Sequence, residues 1–294
     1  MRFGLHALGI GAGARPATMA AVARAAEAAG FATLWSGEHV VMPDRPRSRY
    51  PYSADGRMAV PAGADWLDPL IGLTFIAAVT RRIGVATGVL LLPEHNPLLV
   101  AKQAASLDLL SAGRLTLGVG IGWSAEEFAA LGVPFARRGE RTAEYVSALR
   151  RLWADDVASF DGEFVRFGGV RLNPKPVRDR RIPVVAGGNS DGALGRAAAW
   201  ADGWYGFNLG LSEVGARVAV LRERCARHGR APAEVDIAVA VPDAVPADRP
   251  ALAQAGVDEL VLVGEPPADP SDATAWVGDL ARRWGVTGHQ AGAD

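Results

Sequence analysis

The sequence predicts one (β/α)8 barrel of the TIM type, formed by residues 1–294 as a single domain. Three observations predict it: strand-like apolar runs alternate with helical segments, eight such runs occur, and no shift in composition divides the chain. At 294 residues, of which 49% are hydrophobic, the chain can bury a core of that size. The predicted strands are Arg2–Leu8, Thr33–Ser36, Ile83–Val89, Leu115–Val119, Ile182–Ala186, Trp204–Phe207, Val235–Val241 and Glu259–Val263.

The runs and the segments between them carry the local signals that this fold needs. Several runs, such as residues 182–188, are continuously apolar, as expected of parallel strands buried on both faces. Capping side chains and prolines predict where helices begin, and glycines predict where they end. The predicted starts are Asp68-Pro69, Asn96-Pro97 and Ser124, the last as a capping box with Glu127, and the predicted ends are Gly30, Gly84 and Gly113.

Two stretches fall outside the regular alternation of strand and helix. Residues 41–65, after the second strand, form a long loop rich in proline, glycine and arginine, of the kind that becomes a lid or a binding loop. Residues 159–181 form an insertion before the fifth strand, and Asp161-Gly162 within it predicts a hairpin turn.

The overall composition excludes several classes of function. A formal charge of −1 gives no general reason to bind nucleic acid or a membrane surface, so a small molecule is the expected partner. Cys225 is the only cysteine, which excludes an internal disulfide and fits a reducing compartment. With no signal peptide recognised and no apolar run long enough to span a bilayer, we expect a cytoplasmic protein. No histidine pair has helical zinc-motif spacing, so no metal site is expected.

A glycine-rich stretch after the first strand resembles a dinucleotide-binding fingerprint. From Gly9 it reads Gly-x-Gly-x-x-Ala. In that motif the helix begins inside the glycines, but Pro16 would then lie within the helix and break it. Similar clusters follow the fourth strand (117–123) and the fifth (185–194). Since all carboxyl ends of barrel strands surround one mouth, we interpret the three clusters as rims of a single ligand site.

Residues at the strand ends are therefore the candidates for chemistry. His39 follows the second strand and can exchange a proton near neutral pH, and Glu38 beside it could orient that role. The alternative is a histidine bonded to loop backbone. His6 is a weaker candidate, and His95 could simply precede a helix cap.

The cluster after the fifth strand predicts an anion site. Gly187 and Gly188 leave backbone N–H groups accessible, while Asn189 and Ser190 offer side-chain donors at a helix start. An ordinary glycine turn with an Asn or Ser cap is the alternative. Trp123, after the fourth strand, could stack on a planar ligand or belong to the core.

Three long segments, residues 25–40, 86–145 and 182–206, resemble the bacterial-luciferase-like flavin and deazaflavin oxidoreductases. The run that includes residues 118–123 and Glu126, Glu127 and Phe128 is most similar to probable coenzyme F420-dependent members. The resemblance covers residues 1–245 or so and implies a (β/α)8 barrel with an insertion before strand five, and often a homodimer. It carries little information on the last fifty residues.

The resemblance also implies roles for individual residues. It places His39 beside the deazaflavin ring and Glu38 at an acidic position that precedes that histidine in several members. Gly88 and Val89 fall at a non-prolyl cis peptide that backs the ring, next to the glycine run containing Gly120. Gly187, Gly188, Asn189 and Ser190 fall in the phosphate-binding region. Trp123 replaces the glutamate acid of the sugar-phosphate dehydrogenases, which argues against that activity.

The resulting expectation is hydride transfer between coenzyme F420 and a small organic substrate, with His39 handling a proton. The alternatives are a monooxygenase that uses reduced flavin mononucleotide (FMN) and oxygen, and a protein that holds the cofactor without turnover. Arg45, Arg47 and Arg49 in the long loop could attract the anionic tail of coenzyme F420 or an acidic substrate. A solvated charged loop is the alternative.

Overall fold

Eight parallel strands close into a barrel in the computed structural model, which describes residues 1–287. The barrel strands are β1 (Arg2–His6), β2 (Thr33–Ser36), β3 (Gly84–Thr87), β4 (Leu115–Val119), β7 (Val184–Gly187), β8 (Gly203–Gly206), β9 (Asp236–Val239) and β10 (Glu259–Val263). They follow one another around the barrel in this order, and β10 pairs with β1 to close it. The predicted (β/α)8 class is confirmed, and all eight predicted strands overlap observed ones.

Helices pack around the barrel and bury its outer surface. They are α1 (Pro16–Ala29), α2 (Pro69–Val79), α3 (Pro97–Leu110), α4 (Ala125–Ala130), α5 (Arg138–Ala154), α6 (Asp191–Trp200), α7 (Leu211–Arg227), α8 (Arg249–Ala255) and α9 (Pro270–Trp284). Their apolar faces join the strands in one large core that includes Leu5, Leu34, Leu117 and Trp204. Within residues 1–287, no helix combines the length and the apolar character needed to cross a membrane.

The insertion before the fifth barrel strand begins with a hairpin, as Asp161-Gly162 predicts. Strands β5 (Ala158–Asp161) and β6 (Arg166–Val170) pair antiparallel outside the barrel. The Glu144 carboxylate on α5 accepts hydrogen bonds from the backbone N–H groups of residues 163–165, at 2.7–3.0 Å. The hairpin turn is therefore tied to the helix that precedes it.

Pro16 begins α1 and follows a 3₁₀ turn, Gly11–Ala14, so the first glycine cluster is a loop and not the start of a phosphate-binding helix. That loop anchors the far end of residues 41–65: the Leu67 N–H donates to Gly9 O at 2.8 Å, and the Gly11 N–H donates to Asp65 O at 2.9 Å. The long loop thus returns across the barrel mouth.

The other helix-boundary predictions are mostly confirmed. Asp68 and Asn96 cap α2 and α3, and Gly30 closes α1 in the left-handed region. The prediction that a helix ends at Gly84 is wrong: α2 ends at Val79, and Gly84 is the first residue of β3. The intervening turn is held by the Glu27 carboxylate, which accepts from the backbone N–H groups of residues 81–83 at 2.6–2.9 Å. No glycine cap is needed where a carboxylate from α1 binds those amides.

Candidate active site at the barrel mouth

His39 is held at the barrel mouth by a buried glutamate. Its Nδ1 lies 2.8 Å from Glu127 Oε2, and the side chains of His39 and Glu127 are 6% and 0% exposed. The other oxygen, Glu127 Oε1, accepts from the Val40 N–H at 2.7 Å. A carboxylate fixed in this way selects one imidazole tautomer, leaving Nε2 as the nitrogen free to exchange a proton.

This arrangement changes the role expected of Glu127. Ser124 caps α4 by accepting from the Glu127 N–H at 3.3 Å, so half of the predicted capping box forms. The Glu127 carboxylate does not return to the Ser124 N–H and instead reaches His39. The sequence did not indicate this contact, because a glutamate three residues after a serine is typical of a helix capping box.

Glu38 does not orient His39, contrary to the expectation from their adjacency. Its carboxylate accepts from the Leu91 N–H at 2.6 Å and lies 3.0 Å from His95 Nε2. Burial acts to lower the pKa of His95, but the hydrogen bond and charge of Glu38 outweigh it, so that pKa is raised. His95 therefore does more than precede the α3 cap: it forms a second histidine–carboxylate pair beside the first.

A third carboxyl group, Glu94, lies between these pairs without a partner of its own. It is 7% exposed, and neither carboxyl oxygen has a hydrogen-bond partner among the described residues. Burial, followed by the charges of Glu127 and Glu38, raises the pKa of Glu94 to about 9. Glu94 is therefore a neutral carboxylic acid at neutral pH.

Val89 lies at the mouth, and two glycines make room for its side chain. The Gly88-Val89 peptide is cis, as the resemblance implies. A Cβ on Gly187 would lie 2.7 Å from Val89 Cγ1, and one on Gly120 would lie 2.6 Å from Val89 Cγ2. Gly120 and Gly187 thus accommodate the two γ-methyl groups of Val89, which remains partly exposed to the mouth.

Aromatic rings line the mouth in a continuous series from His39. Trp66 and Trp123 pack edge-on against His39, with ring centroids at 4.9 and 5.8 Å. The series continues through Trp123–Tyr50 at 5.4 Å, Tyr50–Tyr52 at 5.4 Å, Tyr52–Phe207 at 5.5 Å and Phe207–His6 at 5.7 Å. Trp123 is therefore a mouth residue and not a core residue, and the loop of residues 41–65 supplies Tyr50 and Tyr52.

His6 lies at the far end of this series and is unsuited to proton transfer at neutral pH. It is 7% exposed, its Nδ1 lies 3.1 Å from Tyr205 Oη, and burial lowers its pKa to about 4. The neutral ring is a hydrogen-bonding and packing group.

The residues predicted to bind phosphate lie at the start of α6, where two of their side chains bond the protein itself. The Asn189 side chain bonds both backbone groups of Phe207, at 2.7 and 3.1 Å, and Ser190 Oγ accepts from the Ala193 N–H at 3.2 Å. Both side chains therefore stabilise the turn and the cap. Gly188 has φ of +112°, and the free N–H groups of the first turn of α6 remain as donors.

Two arginines that the sequence reasoning missed accompany this helix start. Arg196 Nη1 lies 3.5 Å from a Cβ placed on Gly192, in the first turn of α6, and Arg138 lies close enough for its charge to act on Arg196. Within residues 1–287 neither arginine forms an ion pair with a carboxylate. Burial lowers the pKa of Arg196, and the positive charge of Arg138 lowers it further. Tyr52 Oη lies 3.6 Å from a Cβ placed on Gly188. Two neighbouring cations without carboxylates favour a bound anion.

The loop arginines, by contrast, point into solvent. The side chains of Arg45 and Arg47 are each 95% exposed, and Arg49 donates to Asp55 O within the loop. The Glu126 carboxylate instead binds the loop backbone, accepting from the Arg47 N–H at 2.8 Å. The attraction of an anionic tail to these arginines remains a prediction.

Comparison with known proteins identifies the class to which this barrel and mouth belong. The chain is 38% identical over 270 residues to an uncharacterized protein of Mycobacterium tuberculosis, covering 92% of this chain and 94% of that protein. It is 35% identical over 161 residues to the FMNH(2)-dependent dimethylsulfone monooxygenase of Pseudomonas putida, covering 53% and 44%. The coenzyme F420-dependent tetrahydromethanopterin reductase of Methanopyrus kandleri shares the fold, with a TM-score of 0.71, 17% identity and coverage of 94% and 97%.

These matches define a class of (β/α)8 oxidoreductases and monooxygenases. The family model of luciferase-like monooxygenases matches residues 1–290, and the chain belongs to that family. The relatives include both F420-dependent and reduced-flavin-dependent enzymes.

Proposed function

We propose that this chain is an oxidoreductase that transfers a hydride between coenzyme F420 and a small organic substrate. One observation carries the proposal. A continuous series of aromatic rings joins the His39–Glu127 pair, at one end of the mouth, to Tyr52, Arg196 and the start of α6 at the other. A planar ring system with a phosphate-bearing chain needs both ends: apolar walls for the ring and fixed positive charge for the phosphate.

The residues present fit such a cofactor, and each has a role in the proposal. Gly88 and Val89 back the ring, with Gly120 and Gly187 giving them room. Gly188, Asn189 and Ser190 shape the first turn of α6, and Arg196 and Arg138 balance the phosphate charge. When bound, the deazaflavin supplies or accepts the hydride. His39 holds or moves the accompanying proton at Nε2, while Glu127 stabilises its positive charge.

The second candidate is a monooxygenase that uses reduced FMN and oxygen. It is favoured by the 35% identity to the dimethylsulfone monooxygenase across 53% of this chain. The F420 proposal is favoured by the resemblance of residues 118–128 to probable F420-dependent members, since the fold itself is shared by F420-dependent and monooxygenase structures alike. A cytoplasmic location is part of the proposal, consistent with the free, buried Cys225.

Equilibrium titration with coenzyme F420 and with FMN, each oxidised and reduced and followed by fluorescence, tests the choice. We expect micromolar binding of F420 and weaker binding of FMN. Binding of FMN alone would replace the first proposal by the second. Binding of F420 with no turnover over a broad substrate panel would indicate a cofactor-holding protein.

Arg196→Ala is expected to weaken cofactor affinity by about 10- to 100-fold, the effect of losing one charge-assisted hydrogen bond to a phosphate. The fluorescence titration measures this change directly. Arg227→Ala is a suitable control, because Arg227 is an exposed arginine of α7 that, among residues 1–287, forms an ion pair with Glu223 on the same helix and with no other residue. Equal affinity of the Arg196 variant and the control would place the phosphate elsewhere.

A homodimer is also part of the proposal, and α2 and α3 offer the surface for it. These neighbouring helices expose Ile71 and Phe75 on α2, and Leu99 and Leu110 on α3, with exposed fractions of 39–69%. Apolar side chains grouped in this way mark association surfaces. We expect light scattering to give twice the chain mass of 30.7 kDa, and Leu110→Asp to reduce it to one chain mass. Val177→Asp, at an exposed valine in the insertion, is the control. A monomeric wild type would contradict this part.

A further inference from the structure

His6 supplies the polar side chain on the floor of the barrel mouth. Successive residues of a strand face opposite sides, and residues such as Trp35 and Tyr205, which pack together inside the barrel, mark the inward-facing set. The last inward-facing residue of each strand forms the floor. On β1 it is His6, and the next four strands around the barrel end in glycines: Gly37, Gly88, Gly120 and Gly187. The other three strands end in apolar side chains, so a ligand on this floor meets a polar side chain only at His6.

A buried hydroxyl group determines which nitrogen of His6 carries the proton. Tyr205 is 1% exposed, and burial raises the pKa of its hydroxyl well above the ordinary value, so the hydroxyl keeps its proton. Among residues 1–287 that hydroxyl bonds His6 Nδ1 alone, at 3.1 Å. Nδ1 therefore accepts the hydrogen bond, and Nε2 carries the ring N–H. Because burial lowers the pKa of His6 to about 4, the ring is an uncharged donor at neutral pH.

The Nε2 atom of His6 faces the position above Gly37. A Cβ placed on Gly37 would lie 3.5 Å from His6 Nε2 and 3.1 Å from Gly88 O. Neither atom forms a hydrogen bond with another residue of the described chain. The buried side-chain nitrogens and oxygens without a partner in that part of the chain belong to Ser53, Glu94 and Trp200, so His6 Nε2 retains accessible surface. One point of the floor thus has an N–H donor on one side and a carbonyl acceptor on the other.

A donor and an acceptor that face the same point select the charge of the group between them. A carboxylate would be held against the oxygen of Gly88, and an ammonium group would be held against the N–H of His6. Neither ion would meet an opposite charge there to offset the loss of its hydration. A hydroxyl or an amide group satisfies both atoms, because each can accept from Nε2–H and donate to the carbonyl oxygen.

This point lies on the side of the mouth that the proposed function leaves to the substrate. In that function the cofactor ring is backed by Val89, one of whose methyl groups faces Gly187 on β7. Strand β1 lies opposite β7 around the barrel, and β2, which His39 follows, is next to β1. Trp66 connects the two histidines, since its Nε1 donates to Gly37 O at 3.1 Å and its ring packs against His39.

We propose that His6 is a substrate-binding residue that, together with Gly88 O, holds an uncharged hydroxyl or amide group of the substrate. His39 handles the proton at the reacting atoms, and His6 fixes a second, non-reacting group of the same molecule. Tyr205 is a positioning residue, because it keeps the proton of His6 on Nε2. The assignment of the bound group to the substrate rests on the proposed function, whereas the donor character of His6 does not.

The first test uses the cofactor-free protein. The chain has five histidines, so ¹⁵N-histidine labelling gives few signals, and His6→Gln identifies those of His6. At pH 7 the chemical shifts are expected to be those of a neutral ring with its proton on Nε2. In Tyr205→Phe, which keeps the aromatic ring and loses the hydroxyl, a mixture of both tautomers is expected. A charged ring, or a proton on Nδ1 in the wild type, would overturn the proposal.

The second test uses four probes that share a benzene ring, which suits the aromatic walls of the mouth. Benzyl alcohol and benzamide are expected to shift the His6 Nε2 signal, and benzoate and benzylammonium are expected to leave it unchanged. The titrations are made on the full chain with and without coenzyme F420. A shift with benzoate but not with the uncharged probes, or no shift with any of the four, would overturn the proposal.

The third test compares variants in affinity and turnover. His6→Leu is expected to weaken benzyl alcohol binding, and to raise KM for a competent substrate, by about 3- to 10-fold, the effect of losing one hydrogen bond. We expect kcat and F420 affinity to change by less than about threefold. His6→Gln, which retains an N–H donor, is expected to recover most of the loss. His228→Leu, the same exchange at an exposed histidine after α7, is the control.

The outcomes separate this proposal from the proposed function. Weaker F420 binding with unchanged probe binding in His6→Leu would place the bound group on the cofactor and overturn the assignment to the substrate. If neither F420 nor FMN binds the wild type, the proposed function fails, while the tautomer of His6 and the probe shifts in cofactor-free protein still decide whether His6 holds an uncharged group. The wild-type spectra give this answer even if His6→Leu does not fold.

Discussion

His39→Ala is expected to lower kcat by about 10²- to 10⁴-fold while cofactor affinity changes by less than about threefold. The physical reason is the fixed geometry of the pair: Glu127, 0% exposed, binds Nδ1 and leaves Nε2 for the proton that accompanies the hydride. The ring makes edge contacts with Trp66 and Trp123, which continue to line the mouth when the imidazole is lost.

Steady-state kinetics with a competent substrate, combined with the fluorescence titration, separate the two effects of His39→Ala. His228→Ala is the matched control, since His228 lies at the end of α7, outside the mouth. Unchanged turnover in the His39 variant would show that the proton is handled by another group. A loss of affinity equal to the loss of turnover would assign His39 to binding instead.

Glu94→Gln is expected to change how stability depends on pH. The pKa of Glu94 is about 9 in the folded protein against an ordinary 4.5, so between these values the folded state holds a proton that the unfolded state has released. The stabilising contribution is complete below pH 4.5 and is lost progressively as pH rises toward 9. The loss is about 1.4 kcal/mol per pH unit, or roughly 3 kcal/mol between pH 5 and pH 7.

Urea unfolding of wild type and Glu94→Gln at pH 5, 7 and 8.5 measures this dependence. The difference in unfolding free energy between variant and wild type is expected to grow with pH in favour of the variant, because glutamine does not ionise. Glu223→Gln controls for the change of chemistry at an exposed position. Parallel curves for wild type and Glu94→Gln would mean that Glu94 is ionised in the folded state across this range.

Much of the fold could be predicted because its signals are local. Continuous apolar runs mark buried parallel strands, and Asp68, Asn96 and Pro16 mark helix starts whose caps form as expected. The failure at Gly84 has a non-local cause. The turn after α2 is fixed by Glu27, more than fifty residues away in sequence, and nothing within the turn indicates this.

The site was less predictable than the fold because its contacts join residues that are far apart in the sequence. The position of His39 at a strand end follows from the barrel, but its partner Glu127 lies 88 residues later and also fits a helix cap. Asn189 and Ser190 were correctly located at a helix start, although their side chains bond the protein itself. Arg196 lies inside α6 and Arg138 is the first residue of α5, and an arginine on a helix usually indicates a solvated face. Their lack of carboxylate partners in the described part of the chain is visible only in three dimensions.

The packing of Val89 has a consequence for how this chain can vary. One γ-methyl of Val89 faces Gly187 and the other faces Gly120, so an alanine Cβ at either glycine would clash with a methyl group. Rotating the valine side chain about χ1 does not remove the clash, because it moves the other methyl group toward a glycine. Positions 89, 120 and 187 are therefore coupled sterically: an alanine at either glycine is expected to become tolerable when position 89 has lost the methyl group that faces it. Among relatives that keep this mouth, the three positions are expected to co-vary as a set, and a library that randomises one of them alone will find mostly inactive or unfolded variants.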